Sequence, residues 1–340
     1  MSARGVALAA LALAAATACG TAAPGPQTAP DHVGEGRTAY PLRLDNCGDT
    51  YTFTKAPGRV VVMNGGSVAE VSTLLALGLG DRVIANAQSY GASETPGRVE
   101  AIAALPTGGV ALNNLQDIPR EAMLGLRPDL VISTHTGGFA AESGFATRAD
   151  LRAAGANTYV PPAACADDRA PTIEDSHAMI RDLGAVFDVP GRAEEIIADS
   201  TARIAATAAK VRDRPVGQVM IVFPGMGAAD LDSVAGNGVW NDILAKAGAV
   251  NAFADATRAT FASISAEQAA AAEVDALIVV DYLNPDPEAT VRALFQRFPQ
   301  WRAAVDNRFL VLSDSLYFGP DNHLAVERIA GLVHPDVFRQ

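Results

Sequence analysis

The amino-acid sequence predicts an α/β protein with two Rossmann-like lobes, each built on a mainly parallel sheet, joined by a single long α-helix. Short apolar, β-branched runs alternate with helical stretches in both halves of the chain, a pattern typical of parallel strands covered by helices on both faces. A stretch without any strand pattern, residues 172–212, separates the halves. The body that begins near residue 40 has about 300 residues, enough for two lobes.

Residues 1–18 are predicted to be a secretion signal. Arg4 gives a basic start, an unbroken apolar stretch runs from Val6 to Ala16, and small residues follow. The segment is too short to anchor stably across a bilayer. Thr17-Ala18-Cys19-Gly20 resembles a bacterial lipobox, which predicts acylation of Cys19 and attachment by lipid to the outer face of the cytoplasmic membrane. The alternative is an ordinary signal peptide with an incidental Cys.

The next segment, residues 19–39, is predicted to be a flexible tether because it is rich in Pro, Gly, Ala and Thr and poor in residues that could enter a core. The folded body then divides into a first lobe at residues 40–171, a bridging helix at residues 172–187 and a second lobe at residues 188–340. A helical bridge resists bending, so we expect only modest lobe closure on ligand.

Strands are predicted at seven apolar runs. Four lie in the first half, at residues 59–63, 82–85, 129–133 and 158–160. Three lie in the second half, at residues 218–223, 276–280 and 309–312.

The bridging segment has the signals of a helix. Thr172 with Asp175 three residues later predicts an N-cap pair, and Ile173, Ile180 and Leu183 recur at nearly helical spacing. A second helical stretch follows a break at Asp188-Val189-Pro190-Gly191.

The net charge of −12 becomes −13 once Arg4 leaves with the signal. Such acidity argues against a nucleic-acid partner, whose phosphates bind mainly through Lys and Arg. An anionic small ligand is not excluded, since a few pocket arginines can reverse the local potential.

The three cysteines indicate one disulfide. An exported chain with an odd count leaves one thiol over unless Cys19 carries lipid. Cys47 and Cys165 are then predicted to pair, because an oxidising compartment permits the bond. The alternative is two separately buried thiols.

Sequence signatures of catalysis are absent: there is no G-x-S-x-G, H-E-x-x-H, Walker A motif or G-x-G-x-x-G after a strand. The five histidines include no pair at zinc-binding helical spacing. We therefore predict that the chain is not an enzyme.

Four segments together resemble the solute-binding proteins for ferric siderophores, haem and vitamin B12 that serve ABC importers. They are residues 46–61 (with Asn-Cys-Gly, then Ala-Pro-Gly-Arg-Val-Val), 69–83, 121–131 and 265–279. The resemblance covers nearly all of residues 40–332. It implies the helix-joined, two-lobed class III fold and a monomer that binds a small molecule and delivers it to a permease.

Two acidic residues in matching helix positions are candidate docking residues. Pro119 suits the first helical position and places Glu121 in the first turn, and Ser265 as N-cap with Gln268 places Glu267 likewise. An acid there complements the helix dipole and needs no partner. The resemblance implies instead that Glu121 and Glu267 dock onto arginines of the two permease subunits.

Ligand contacts in such folds lie just after the strands, at their carboxyl ends. These positions give the following candidates: Asn64, Tyr90, Thr134 and His135 in the first lobe, and Phe223, Phe261, Tyr282 and Tyr317 in the second. Aromatic side chains dominate the set, and they suit a large, partly apolar ligand such as an iron chelate.

The ligand predicted from this set is a ferric siderophore. No arginine cluster for an anionic catecholate is evident, with Arg98 and Arg258 the nearest candidates, so a neutral hydroxamate or mixed siderophore is favoured. The start at Asn46-Cys47-Gly48 and the stretch from Tyr159 to Cys165 are also similar to relatives proposed to bind a deazaflavin precursor.

Other readings stay open. Within the binding-protein class they are cobalamin, haem or a metal ion held by His135, Asp281 and His323. Outside it they are an exported sensor or scaffold without a transport partner, and an unsuspected hydrolase.

Overall fold

The computed structural model describes residues 34–89, 93–111, 117–165, 169–224, 231–282, 284 and 286–338. The predicted signal, Cys19, most of the tether and Tyr90 lie outside these residues. We call residues 40–165 the first lobe and residues 217–338 the second lobe.

The chain enters the first lobe through an antiparallel hairpin that the sequence patterns did not predict. Strands β1 (Leu42–Asn46) and β2 (Asp49–Phe53) pair in register. The two residues between them, Cys47 and Gly48, both have positive φ, at 49° and 86°, which is the backbone of a tight hairpin turn. The Asn46 side chain then bonds both backbone groups of Val160 at 2.7 and 2.9 Å, so it ties the hairpin to the lobe.

A four-stranded parallel sheet forms the centre of the first lobe, in the order β4-β3-β5-β6. Its strands are β3 (Val60–Val62), β4 (Val83–Asn86), β5 (Leu130–Ile132) and β6 (Asn157–Tyr159). All four coincide with predicted strands. The middle strands β3 and β5 are buried along their whole length, as expected for a sheet covered on both faces.

Four short helices surround this sheet: α1 (Ala69–Ala76), α2 (Arg98–Ala103), α3 (Arg120–Leu126) and α4 (Arg148–Ala153). Helix α4 begins with a capping box between Thr147 and Asp150. The hairpin and the segment after β6 approach each other, and the structure pairs Cys47 with Cys165 as a disulfide, with Cα atoms 5.0 Å apart. That this bond forms in the exported protein stays a prediction.

Two consecutive helices lie between the sheets, α5 (Ile173–Val186) and α6 (Pro190–Val211). Thr172 and Asp175 form the predicted capping box. The break between the helices falls at Asp188, whose φ is 58°, in the predicted segment.

Each of these helices contacts both lobes. In α5, the Ile173 N–H donates to Asp242 of the second lobe at 3.0 Å, and the Val186 carbonyl accepts from Tyr40, ahead of β1, at 2.8 Å. In α6, Arg192 donates to the Ala76 carbonyl at 3.2 Å. Farther along α6, Arg203 forms a bidentate ion pair with Glu327, at 2.6 and 2.8 Å.

A mixed six-stranded sheet forms the centre of the second lobe. Its order is β10-β8-β7-β11-β12, with β9 also paired to β7. The strands are β7 (Gly217–Val222), β8 (Asp232–Val234), β9 (Ala249–Asn251), β10 (Phe261–Ser263), β11 (Ala276–Asp281) and β12 (Phe309–Ser313).

The three longer strands β7, β11 and β12 are parallel and were predicted. Strands β8, β9 and β10 were not, because each is only three residues long and lacks a continuous apolar run. Strand β8 runs antiparallel to β7, and β10 runs antiparallel to β8. The sheet is therefore parallel in its centre and antiparallel at one edge.

Six helices complete the second lobe: α7 (Val239–Lys246), α8 (Ala266–Ala271), α9 (Pro287–Arg297), α10 (Arg302–Val305), α11 (Asn322–Val333) and α12 (Pro335–Phe338). The buried apolar residues of the first-lobe sheet, α5, α6 and the second-lobe sheet form one continuous cluster. Among the described residues, no helix is both long and apolar enough to cross a membrane.

Candidate functional site

A cavity of about 160 Å³ lies between the lobes, where the carboxyl ends of strands from both sheets meet. Its first-lobe wall comes from α1 and the segments after β5 and β6: Glu70, Thr134, Pro161, Ala163 and Ala164, with Pro171 ahead of α5. Its second-lobe wall comes from Phe223, Asn237, Gly238, Val239, Trp240, Thr260, Phe261, Tyr317 and Phe318.

Aromatic side chains in contact with each other make up most of the second-lobe wall. Phe223, directly after β7, meets Phe261 at the start of β10 edge to face, with ring centroids 5.0 Å apart. Trp240 and Tyr317 stack at 6.2 Å with an interplanar angle of 21°. Such pairs form flat, rigid surfaces that suit a ligand with apolar faces.

The first-lobe wall contains a fully buried acid, Glu70. Its Oε2 accepts hydrogen bonds from Gln88 Nε2 at 2.8 Å and Thr134 Oγ1 at 3.1 Å. Gln88 is held in turn by the Met63 carbonyl, at 2.9 Å. Burial raises the pKa of Glu70, against the opposite effect of the Gln88 hydrogen bond. The carboxyl therefore takes up a proton more readily than an exposed glutamate.

Four of the predicted ligand residues line this cavity: Thr134, Phe223, Phe261 and Tyr317. Burial raises the pKa of Tyr317, so this residue stays a neutral phenol.

Three other predicted residues are described but do not line the cavity. Asn64 is buried in the turn after β3, where its N–H donates to Asp117 at 3.0 Å. His135 is exposed. The Tyr282 hydroxyl faces that same turn, 3.4 Å from where a Cβ on Gly66 would lie.

Sequence reasoning did not select several cavity residues, among them Glu70, Asn237 and Trp240. Glu70 follows Val68 and Ala69 and precedes Val71. The only sign of a function in the sequence was that it is a single acid within an apolar helix pattern. Trp240 could not be recognised as a cavity residue because its position fits the apolar, core-facing pattern of α7.

Basic side chains are missing from the cavity wall, as far as the described residues form it. Arg98 donates to the Ser72 carbonyl. Arg258 lines a neighbouring pocket, which shares Asn237 with the cavity but whose remaining lining residues differ.

Side chains that could bind a metal ion do not cluster among the described residues either. The proposed trio of His135, Asp281 and His323 does not form a metal site, and no other group of three His, Cys, Asp or Glu residues does so within the described ranges. The prediction that these three residues hold a metal ion is therefore wrong.

Glu94 links the two lobes directly. Its Oε1 accepts from the Ser313 N–H at 2.9 Å and from Arg328 at 2.8 Å, both in the second lobe. The neighbouring Asp314 is almost fully buried, and neither carboxyl oxygen has a hydrogen-bond partner in the described part of the chain. Burial, together with the charge of Asp281, raises the pKa of Asp314 to about 7.

The two candidate docking residues lie on the surface. The Glu121 side chain is 85% exposed, and Arg120 approaches it only to 4.0 Å while binding Asp150 at 2.9 Å. Pro119 is the N-cap of α3 rather than its first helical residue. Glu267 is exposed in α8, where Ser265 and Gln268 form the predicted capping box.

Comparisons with known proteins give one consistent result. The family model described as periplasmic binding protein matches residues 61–314. A protein of the ABC-type Fe3+-hydroxamate transport system from Saccharomonospora viridis is 26% identical, with 87% of this chain and 100% of that chain covered and a TM-score of 0.68.

Two further solved structures are similar. A periplasmic heme-binding protein from Roseiflexus is 25% identical, with coverages of 82% and 98% and a TM-score of 0.63. A periplasmic binding protein from Veillonella parvula is 21% identical, with coverages of 86% and 97% and a TM-score of 0.70. No curated protein sequence matches the chain.

Proposed function

This chain belongs to the periplasmic binding protein family, and from that premise we propose that it captures an iron–siderophore complex outside the cytoplasmic membrane and delivers it to the permease of an ABC importer. Proteins of this family bind small ligands for transport, and the chain is a binding protein, not an enzyme.

The observation that carries this proposal is the aromatic cavity between the lobes. Rings from Phe223, Phe261, Trp240 and Tyr317 offer flat apolar surfaces, and such surfaces favour ligands that are themselves bulky and partly apolar. Iron chelates have this character. The similarity to the Saccharomonospora protein, at 26% identity, supports iron transport.

The absence of basic side chains from the described cavity wall favours an uncharged chelate, such as a ferric hydroxamate, over a trianionic catecholate. An anion without a partner in an apolar cavity is unfavourable. The same argument disfavours haem, whose two carboxylates need donors, although the similar Roseiflexus protein is a heme-binding protein. Cobalamin and a deazaflavin precursor stay as alternatives for the binding assay.

The cavity is smaller than a whole chelate requires. Pockets for drug-sized ligands measure about 300 to 1,000 Å³, whereas this cavity measures about 160 Å³. We propose that the lobes separate slightly to admit the chelate and that Glu94 and Arg328 part when they do so. The helical connection through α5 and α6 keeps this movement modest.

Delivery is assigned to the exposed acids. We propose that Glu121 in the first lobe and Glu267 in the second contact arginines on the two permease subunits. We also propose lipid attachment at Cys19, a tether through residue 39, a boundary between the lobes at residues 172–187 and a monomeric state.

A binding panel tests the proposal. The purified protein is screened by thermal shift and native mass spectrometry against ferrichrome, ferric enterobactin, haem, cobalamin, a deazaflavin and free metal ions. A ligand that binds only the folded state raises the melting temperature. The proposal requires ferrichrome, a neutral trihydroxamate, to give the largest rise. A larger rise in melting temperature with haem, cobalamin or the deazaflavin would show that this compound, and not a siderophore, is the ligand.

A further inference from the structure

Three buried polar atoms on residues that line this cavity have no hydrogen-bond partners in the described part of the chain. They are Glu70 Oε1, Asn237 Oδ1 and Trp240 Nε1. Buried polar atoms in folded proteins are nearly always paired, because an unpaired one loses its hydrogen bonds to water without compensation. Three such atoms around one cavity indicate a site whose hydrogen bonds are completed by a ligand.

These atoms come from both lobes. Glu70 is the second residue of α1 in the first lobe, while Trp240 lies in α7 of the second lobe and Asn237 lies just before it. Each residue is held in place by other contacts: Glu70 by Gln88 and Thr134, and Trp240 by its stacking on Tyr317. The Asn237 N–H donates to the Ala259 carbonyl at 3.1 Å. A group bound between them therefore meets prearranged partners on both sides.

The charge of the wall decides which groups fit. No Lys, Arg or His lines the cavity in the described ranges, and the one carboxyl that does is fully buried. A bound anion would lack a counter-charge and would be repelled by any charge on Glu70. A neutral Glu70 carboxyl offers a donor and an acceptor, Asn237 offers an acceptor, and Trp240 offers a donor.

The cavity volume fits one chemical group rather than a complete ligand. About 160 Å³ corresponds to about five water molecules at ~30 Å³ each. A planar group with one or two polar atoms fills such a space against the aromatic rings.

We infer that this cavity binds an uncharged amide-type group of the ligand and that Glu70, Asn237 and Trp240 are the residues that hydrogen-bond it. The inference rests on the proposed function and adds to it the chemical class of the group that enters the cavity. It also assigns a direct ligand contact to an acid, Glu70, that is inaccessible to bulk solvent.

The two tryptophans of the chain provide a direct test by NMR. Trp301 Nε1 donates to the Ala269 carbonyl at 2.7 Å and lies outside the cavity, so its indole resonance serves as an internal reference. The probes are benzamide and benzoate, which have nearly the same shape but differ in charge. We expect benzamide to move the Trp240 indole N–H resonance and to leave that of Trp301 unchanged, and benzoate to move neither.

Variants test the individual contacts. Trp240→Phe keeps an aromatic ring but loses the donor, and we expect about fivefold to tenfold weaker benzamide binding. Glu70→Ala should weaken it by about tenfold, whereas Glu70→Gln, which keeps a neutral donor and acceptor, should stay within about threefold of the unaltered protein. Trp301→Phe is the matched control and should leave affinity unchanged.

The outcomes separate the inference from the function on which it rests. Equal responses to benzamide and benzoate, or none at Trp240, would overturn the inference whatever the chelate panel shows. Benzamide binding at Trp240 in a protein that binds no iron chelate would uphold the inference and refute the siderophore proposal.

Discussion

Glu121 and Glu267 occupy the same position in two different lobes: each is the second residue of a short surface helix, α3 in the first lobe and α8 in the second. Both side chains are exposed. An acid in the first turn complements the helix dipole by only about 0.3 to 1 kcal/mol. Each acid therefore contributes little to the stability of the fold. Both side chains are free of a structural role that would prevent contact with a partner.

Replacing either acid by Ala should leave folding and ligand capture intact. We expect the free energy of unfolding of Glu121→Ala and Glu267→Ala to change by no more than about 0.5 kcal/mol, because exposed side chains contribute little. Chelate affinity should not change, since neither residue lines the cavity. Denaturant unfolding and ligand titration measure the two quantities. A loss of affinity in either variant would place the residue in the capture site instead.

The aromatic wall should carry much of the binding energy. Phe261→Leu removes the edge-to-face contact with Phe223 and should weaken chelate binding by about 1 to 3 kcal/mol. The matched control is Phe295→Leu, which breaks a similar edge-to-face pair with Phe309, away from the cavity. Isothermal titration compares the two. Equal affinities for both variants would show that the cavity aromatics only pack the lobe.

Asp314 should make stability depend on pH. Its pKa is raised from 3.8 to about 7 by burial and by the charges of Asp281 and Glu94. Between those values the folded protein holds a proton on Asp314 that the unfolded chain releases, so the contribution of Asp314 to stability is greatest at low pH and is lost as the pH rises towards 7. The loss amounts to at most about 1.4 kcal/mol per pH unit.

Asp314→Asn should remove this dependence and stabilise the protein more at about pH 8 than at about pH 5. Denaturant unfolding at both pH values measures the difference, and Asp213→Asn, at an exposed position, is the control. An identical effect of Asp314→Asn at the two pH values would contradict the assignment.

Glu94 should restrain the opening of the cleft. Glu94→Gln removes the ion pair with Arg328 and should raise the population of the separated conformation. We expect about threefold to tenfold tighter binding of a whole chelate, because the competent state becomes more populated. Binding of benzamide, which fits the cavity as it stands, should be unaffected. Glu142→Gln, at an exposed first-lobe position, is the control, and weaker chelate binding in Glu94→Gln would show that the contact holds the ligand-bound form.

The predicted disulfide can be checked chemically. In a Cys19→Ser protein, denatured without reductant, thiol labelling should find no free cysteine, and reduction should release two. Cys47 and Cys165 are separated by 118 residues, so reduction should destabilise the fold by up to about 4 kcal/mol in the chain-entropy model. Two labelled thiols before reduction would show that the bond does not form.

The strands with continuous apolar runs were predictable because burial on both faces leaves a direct trace in the sequence, as in Val60–Val62 and Ala276–Asp281. The hairpin β1–β2 was not, since its strands alternate between exposed residues and residues that are buried or partly buried, and so contain no continuous apolar run. The cavity was predictable only in part. Phe223 follows β7 directly and Tyr317 lies a short turn after β12. Glu70 and Trp240 lie in helices instead, and they reach the cavity only through the way the lobes pack.

The most direct test of the account is uptake of radiolabelled ferric siderophore by cells that carry the charge-reversed variants Glu121→Arg and Glu267→Arg. The control is Glu288→Arg, which alters another exposed acid in the second position of a helix, α9. If the chain captures a chelate and docks through the two acids, both variants should bind ligand normally and lose uptake through repulsion from the permease, while the control transports. Normal uptake in both variants, or loss of binding together with uptake, would contradict the account.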